Sequence, residues 1–270
     1  MDAGRRERYE REGIFVNGAR ARFSYVTPEE ARPVDAVIIA TKNAHLPAVI
    51  EKIRPAVGEH TMILSLLNGI QSESDLAAAF GAGHVLYGFI VGLSSVHEGK
   101  VIMCGNEGTI VFGEGDNSRS PRVQALAYLF QRAGVQHRVP QDIRLEQWKK
   151  YLLNVTCNTL SAICRLPYSG FKSPVMQDLV RTVGAEVIAV AKQEGVALTA
   201  DMLESIITMV SGLDAKGKTS MLQDMEARRK TENPWFCGTV VQLGKKHGIP
   251  TSACALLEQL VEAAELSFPC

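Results

Sequence analysis

Two uninterrupted apolar runs of strand length constrain this chain more than any other feature. They are Asp35-Ala36-Val37-Ile38-Ile39-Ala40-Thr41 and Met62-Ile63-Leu64-Ser65-Leu66-Leu67, separated by a helical pattern from about His45 to Val57. A strand that is apolar at every position, and not only at alternate ones, is covered on both faces. Two such strands joined by a helix predict a parallel sheet packed between helices. Ile14-Phe15-Val16, Asn17-Gly18 and Ala21–Tyr25 read as a hairpin, because Asn-Gly supplies the positive φ angles of a tight turn. Thr27-Pro28-Glu29-Glu30 reads as a helix start, with a capping hydroxyl, proline at the first position and acids in the first turn. From Val85 to Phe112 strand follows strand with glycine turns, which predicts an antiparallel extension of the sheet. A helix over about 122–133 and a short strand over 135–139 close this half.

From Ile143 onward the apolar spacing becomes i, i+3, i+4 throughout. Segments near 143–164, 173–196, 200–212, 222–231, 235–247 and 252–266 read as helices. The expected class is therefore α/β followed by an all-helical part, with domains at 1–140 and 141–270, two domains being what 270 residues suggest.

Twenty-nine Lys and Arg balance 29 Asp and Glu, so no overall positive field draws the chain to nucleic acid or to an anionic membrane. No apolar run approaches the roughly 20 residues of a membrane span, and the opening MDAGRRERYEREG is not a signal peptide. Cys104, Cys157, Cys164, Cys237, Cys254 and Cys270 are scattered without a C-x-x-C pair, which reads as reduced thiols of a cytoplasmic protein. The six histidines show no metal-ligand spacing. Gly113-Glu114-Gly115 and Gly81-Ala82-Gly83 lack a third glycine and read as loops.

Chemistry-bearing residues fall in three places. Lys42 and Asn68 end the two buried strands, and open parallel sheets bind ligands beyond their carboxyl ends. The alternative reading is a surface lysine and a helix cap. Lys150, Asn154 and Asn158 recur every four residues on an otherwise apolar helix and so share one face. Buried polar groups are costly without partners, so this stripe faces either a structural network or a polar ligand. Ser220 has Gln223 three residues on, a capping-box pattern. Glu232 reads either as a solvated acid beside Arg228, Arg229 and Lys230 or as a site residue.

Five motifs in this order resemble the ketopantoate reductase (2-dehydropantoate 2-reductase) family, of the 6-phosphogluconate-dehydrogenase-like group. They are Ala40-Thr41-Lys42; Leu67-Asn68-Gly69; Trp148-Lys149-Lys150-Tyr151-Leu152-Leu153-Asn154 with Asn158; Thr219-Ser220-Met221-Leu222-Gln223-Asp224; and Lys230-Thr231-Glu232. The resemblance runs from about Asp2 to Glu262. It implies a Rossmann-like dinucleotide-binding domain followed by a helical substrate domain, and NADPH-dependent reduction of 2-dehydropantoate to pantoate on the route to coenzyme A. By the same resemblance, Lys150 is the general acid and Glu232 accepts a hydrogen bond from the substrate hydroxyl. Asn154, Asn158 and Ser220 hold the substrate, and Lys42 and Asn68 face the cofactor.

The chain departs from the family pattern in three respects. The family's opening strand, G-x-G-x-x-G turn, helix and second strand find no counterpart, so the domain is expected to be incomplete by roughly 25–30 residues and poor at holding a pyrophosphate. Asn233-Pro234-Trp235-Phe236-Cys237 differs from the usual acidic and asparagine-containing continuation, and Gly217 stands where some members have asparagine. Asp2 beside Arg5 and Arg6 leaves NAD open, although the resemblance favours NADP. A homodimer is compatible with the family. The rival readings are a non-catalytic ligand-binding or dimerising relative that lost its dinucleotide site, and a reductase of another small 2-oxo acid.

Overall fold

The computed structural model describes residues 3–269, with the side chains of all but Ala3 and 94–98. Asp2 and Cys270, both singled out above, lie outside the described residues. The chain divides into two compact units, Met1–Leu67 with Ser72–Ile143, and Asn68–Gln71 with Arg144–Cys270.

The first unit opens with α1 (Ala3–Glu12), a helix so polar that no apolar spacing announces it. β1 (Ile14–Val16) and β2 (Ala19–Ala21) form the hairpin. Asn17 and Gly18 both adopt positive φ (48° and 81°), and Val16 pairs with Ala19. The two-residue turn dictates this register, so the return strand starts at Ala19, two residues before the reading above, and ends at Ala21. Thr27–Glu30 does not start a helix. Its backbone closes a single turn, Thr27 N–H donates to Glu30, and Arg6 holds the same carboxylate at 2.6 and 2.8 Å. Pro33 then disfavours helical backbone at Arg32.

β3 (Ala36–Ile39), α2 (Leu46–Ile53), β4 (Met62–Ser65), α3 (Ser72–Phe80) and β5 (Val85–Glu98) follow, with the three strands parallel. β6 (Val101–Gly113) runs back antiparallel along nearly the whole of β5, so one long hairpin replaces the expected series of short strands. α4 (Pro121–Arg132) and β7 (His137–Arg138) complete the unit. The sheet order is β2-β1-β6-β5-β4-β3, with β7 also on β6. Period-2 alternation sends Leu64 into a core with Phe112, Leu126 and Phe130, and Ile63 into another with Ile39, Leu46 and Leu76. β4 is thus buried on both faces as its sequence predicts. β3 is not: among the described residues it pairs with β4 alone, and Ile38 stays 44% exposed while Ile39 is buried.

Glu114 anchors the loop after β6. Arg122 donates to it through Nε (2.6 Å) and Nη2 (2.5 Å), Ser120 adds a third bond at 2.5 Å, and Arg122 also reaches the Gly83 and Val85 carbonyls. Gly115 lets this loop lie against Tyr87, whose ring a Cβ at 115 would meet at 2.6 Å. Gly113-Glu114-Gly115 is therefore a structural loop.

The second unit is helical: α5 (Ile143–Leu153), a π-turn at Asn154–Asn158, α6 (Thr159–Cys164), α7 (Pro174–Gln193), α8 (Ala200–Ser211), α9 (Ser220–Glu226), α10 (Cys237–His247) and α11 (Ser252–Glu265). Tyr151, Leu152, Val155, Val187, Val240 and Val261 are among its fully buried residues. Glu186 of α7 caps α11 by accepting the Ala253 and Cys254 N–H groups, both at 2.8 Å. Among the described residues no helix is long and apolar enough to cross a membrane, no group of acids, histidines and cysteines could hold a metal ion, and the cysteines carry free thiols.

Candidate active site

α5 buries Trp148, Tyr151 and Leu152 and turns Lys150 away from them, part-buried. The Lys150 Nζ donates to Asn68 Oδ1 at 2.9 Å, and Asn68 Nδ2 donates to Glu232 Oε2 at 2.7 Å. An ammonium can only donate and a carboxylate only accept, so the Asn68 amide has one possible orientation here. The amide keeps the two charges apart while each still acts on the other. Burial pulls the Lys150 pKa down from its ordinary 10.5 to about 8, against the smaller opposing pull of Glu232.

Asn68 reaches this position because Gly69 takes φ +94°, and because a Cβ there would lie 3.3 Å from the Trp235 carbonyl. Glu232 opens a tight turn whose carbonyl accepts Trp235 N–H at 3.0 Å. The turn is fastened on both sides. Thr231 N–H and Oγ1 donate to Glu265 at 2.9 and 2.6 Å, and Asn233 Nδ2 donates to the Glu258 carbonyl at 3.0 Å. The solvated-acid reading of Glu232 fails: it is only 8% exposed. The neighbouring cations serve other groups, Arg229 pairing with Asp224, Lys230 with Glu265, and Arg228 donating to the Ser267 carbonyl.

One turn beyond Lys150 the helix widens into the π-turn, and Thr156 Oγ1 donates to the Leu152 carbonyl at 2.7 Å. Asn158 Nδ2 donates to Asn154 Oδ1 at 3.1 Å and reaches Ser220 Oγ at 3.5 Å. Asn154 is 5% exposed, and among the described residues its Nδ2 has no hydrogen-bond partner. An unfilled buried donor costs about 1–3 kcal/mol and fits an oxygen acceptor brought by a ligand. Ser220 is exposed and is not the helix cap. Thr219 caps α9 by accepting Leu222 N–H at 3.1 Å, so the capping box read at Ser220 and Gln223 lies one residue too late.

The structure thus links Lys150, Asn68 and Glu232 in one chain of hydrogen bonds and Asn154, Asn158 and Ser220 in another, all within the second unit. Lys42 belongs to the first unit, exposed beyond β3 where a 3₁₀ turn (Asn43–His45) begins. Sequence reasoning missed Tyr151, whose phenol donates to the Phe236 carbonyl at 2.7 Å, and the Thr231–Glu265 fastening. Both join segments far apart in the chain, and no local spacing signals them.

The family model described as ketopantoate reductase PanE/ApbA matches residues 2–117, and its C-terminal counterpart matches residues 142–265. The chain belongs to the ketopantoate reductase family. Among its relatives, the 2-dehydropantoate 2-reductase of Lactococcus lactis is 28% identical over 86% of this chain and 75% of its own. The oxidoreductase YkpB of Bacillus subtilis is 25% identical over 90% of this chain and 82% of its own. A crystal structure of 2-dehydropantoate 2-reductase from Geobacter metallireducens matches with a TM-score of 0.82 and 30% identity, covering 93% of this chain and 85% of that one. The protein is an oxidoreductase of the ketopantoate reductase type, with a Rossmann-like N-terminal domain and a helical C-terminal domain.

Proposed function

We propose that this chain reduces the 2-oxo group of 2-dehydropantoate to the alcohol of pantoate, with Lys150 donating the proton to the carbonyl oxygen. NADPH, when bound, supplies the hydride. The observation that carries this reading is the Lys150–Asn68–Glu232 chain of hydrogen bonds. A part-buried ammonium with a pKa of about 8 is protonated near neutrality yet gives up its proton readily as charge grows on an oxygen. Asn68 holds Lys150 toward the substrate, and Glu232 accepts from the substrate hydroxyl. The unfilled Asn154 Nδ2, with Asn158 and Ser220 beside it, suits the oxygens of a small acid.

Lys42, exposed beyond the carboxyl end of β3, is where an open parallel sheet holds a nucleotide, and its ammonium suits phosphate oxygens. Preference for NADPH over NADH rests on the family resemblance. Arg6, one candidate for a 2′-phosphate, is engaged by Glu10 and Glu30 and would have to exchange them. A homodimer in the cytoplasm goes with this reading.

The test is NADPH oxidation followed at saturating cofactor with 2-dehydropantoate, pyruvate and phenylglyoxylate, on this chain and on one carrying a glycine-rich βαβ unit upstream. Preference for 2-dehydropantoate supports the proposal, and preference for another 2-oxo acid moves the substrate within the same chemistry. No turnover of any of them by either chain would leave a binding protein in place of an enzyme.

A further inference from the structure

Tyr151 follows Lys150 directly, is 1% exposed, and packs edge-on against Trp148 with ring centroids 5.5 Å apart. Burial raises its phenol well above the usual tyrosine range, so it stays a neutral O–H donor at any working pH. That O–H donates to the Phe236 carbonyl at 2.7 Å, where Val240 N–H also donates at 3.3 Å. Phe236 closes the turn that Glu232 opens, its N–H donating to the Asn233 carbonyl at 3.0 Å. A closed circuit results. From Lys150 it passes through Asn68 to Glu232, along the turn to Phe236, and through the phenol back to the residue beside Lys150.

We propose that the Tyr151 hydroxyl is a positioning group, setting the distance between Lys150 and Glu232 by pinning the Glu232 turn to α5. The inference rests on the proposed reaction for its kinetic consequence, but the tie itself is readable without substrate. Glu232 is a charged group acting on Lys150 from outside its helix, while Lys149 and Glu146 on the same helix pair with each other at 2.8 Å. Loosening the turn therefore lets Glu232 move away and weakens its upward pull, so the lysine falls further below its ordinary value.

The test is Tyr151→Phe, which keeps the ring and leaves the Phe236 carbonyl its bond from Val240. Two measurements are made. The first is the titration midpoint of Lys150 by NMR on lysine-labelled protein, about 8 in the parent; the expected shift in the variant is downward by about half a pH unit. The second is turnover, expected to fall about ten- to a hundredfold with KM nearly unchanged, because misplacing a proton donor costs the transition state and not substrate binding. Should Tyr151→Phe fail to fold, Thr239→Val removes a hydroxyl that holds the same turn, donating to the Pro234 carbonyl at 3.4 Å, and predicts smaller changes in the same directions. A lower melting temperature with the Lys150 midpoint and turnover both at parent values overturns the proposal. If Lys150→Ala turns over as fast as the parent, the reaction assigned to Lys150 falls instead, and the NMR midpoint still decides the role of Tyr151.

Discussion

Each unit of the molecule buries a carboxylate against a cation, and the two are solved differently. In the first unit Glu114 meets Arg122 directly, with Ser120 added, all from within eight residues of chain. Burial raises its pKa, but these bonds outweigh burial and hold it below the usual range. In the second unit Glu232 meets Lys150 through an asparagine 164 residues away from it, and the lysine keeps a strongly lowered pKa. A direct ion pair settles both charges and has nothing left to exchange. With an amide between the charges, burial outweighs the pull of Glu232 and keeps the lysine's pKa low. The first arrangement suits a scaffold, and the second suits the site proposed for Lys150.

The strongest way to separate the two is to delete each cation's function. Lys150→Ala is expected to keep its fold and to lose about 10²–10⁴-fold in kcat and kcat/KM together, as removal of a general acid does. Lys150→Arg should not rescue, since guanidinium holds its proton. Steady-state kinetics on folded variants decide the matter, and turnover within about threefold of the parent would remove the lysine from the chemistry.

Glu114→Gln is expected to do the reverse. It leaves the part-buried Arg122 without its carboxylate and should cost about 2 kcal/mol of stability, with turnover per folded molecule unchanged. Its pH signature follows from the lowered pKa. The stabilisation is present above the ordinary carboxylate value of 4.5 and is lost as pH falls through the folded value, so the parent, and not the variant, should lose this increment on acidification. Urea melts at neutral and acid pH would reveal it, and an equal loss in both proteins would refute it.

The same contrast explains what was legible in the sequence. Glu114, Ser120 and Arg122 lie close together in the chain, and so do the apolar stripes of α7, α8, α10 and α11, whose ranges follow their 3.6 spacing closely. The Lys150–Asn154–Asn158 stripe was visible for the same reason. The π-turn within it was not, because an i+4 spacing is shared by both helix types. The bridge by Asn68, the Tyr151 phenol on Phe236 and the Glu265 fastening depend on tertiary placement alone. At Ser220 and at Thr27, local capping patterns were present, but Thr219 took the first cap, and Glu30 with Pro33 stopped the second.

The lowered Lys150 pKa also predicts a pH profile. A general acid must carry its proton, so kcat for reduction should be level below about pH 8 and fall about tenfold per unit above it. Glu114, already ionised throughout, contributes nothing in that range. Rates at saturating substrate and cofactor from about pH 6 to about pH 10 measure this, and a profile still level at about pH 9 would contradict the assigned role.

The smallest expected effect separates two adjacent hydroxyls. Thr219 is buried, caps α9 through the Leu222 N–H, and donates to Ser161 Oγ at 3.1 Å. Ser220 is exposed, caps nothing, and lies 3.5 Å from the Asn158 amide. Thr219→Ala should therefore cost about 1 kcal/mol of stability, the usual value of an N-cap, with KM for the 2-oxo acid unmoved. Ser220→Ala should leave stability within about 0.5 kcal/mol, as surface changes do. If its hydroxyl holds substrate, KM should rise about two- to tenfold, the worth of one neutral hydrogen bond, while kcat stays near the parent value. Thermal melts and KM measured on both variants give a crossed pattern, stability lost at 219 and affinity lost at 220. A stability loss at 220 with unchanged KM would mean that the serine supports the helix and that the acid is held by Asn154 and Asn158 alone.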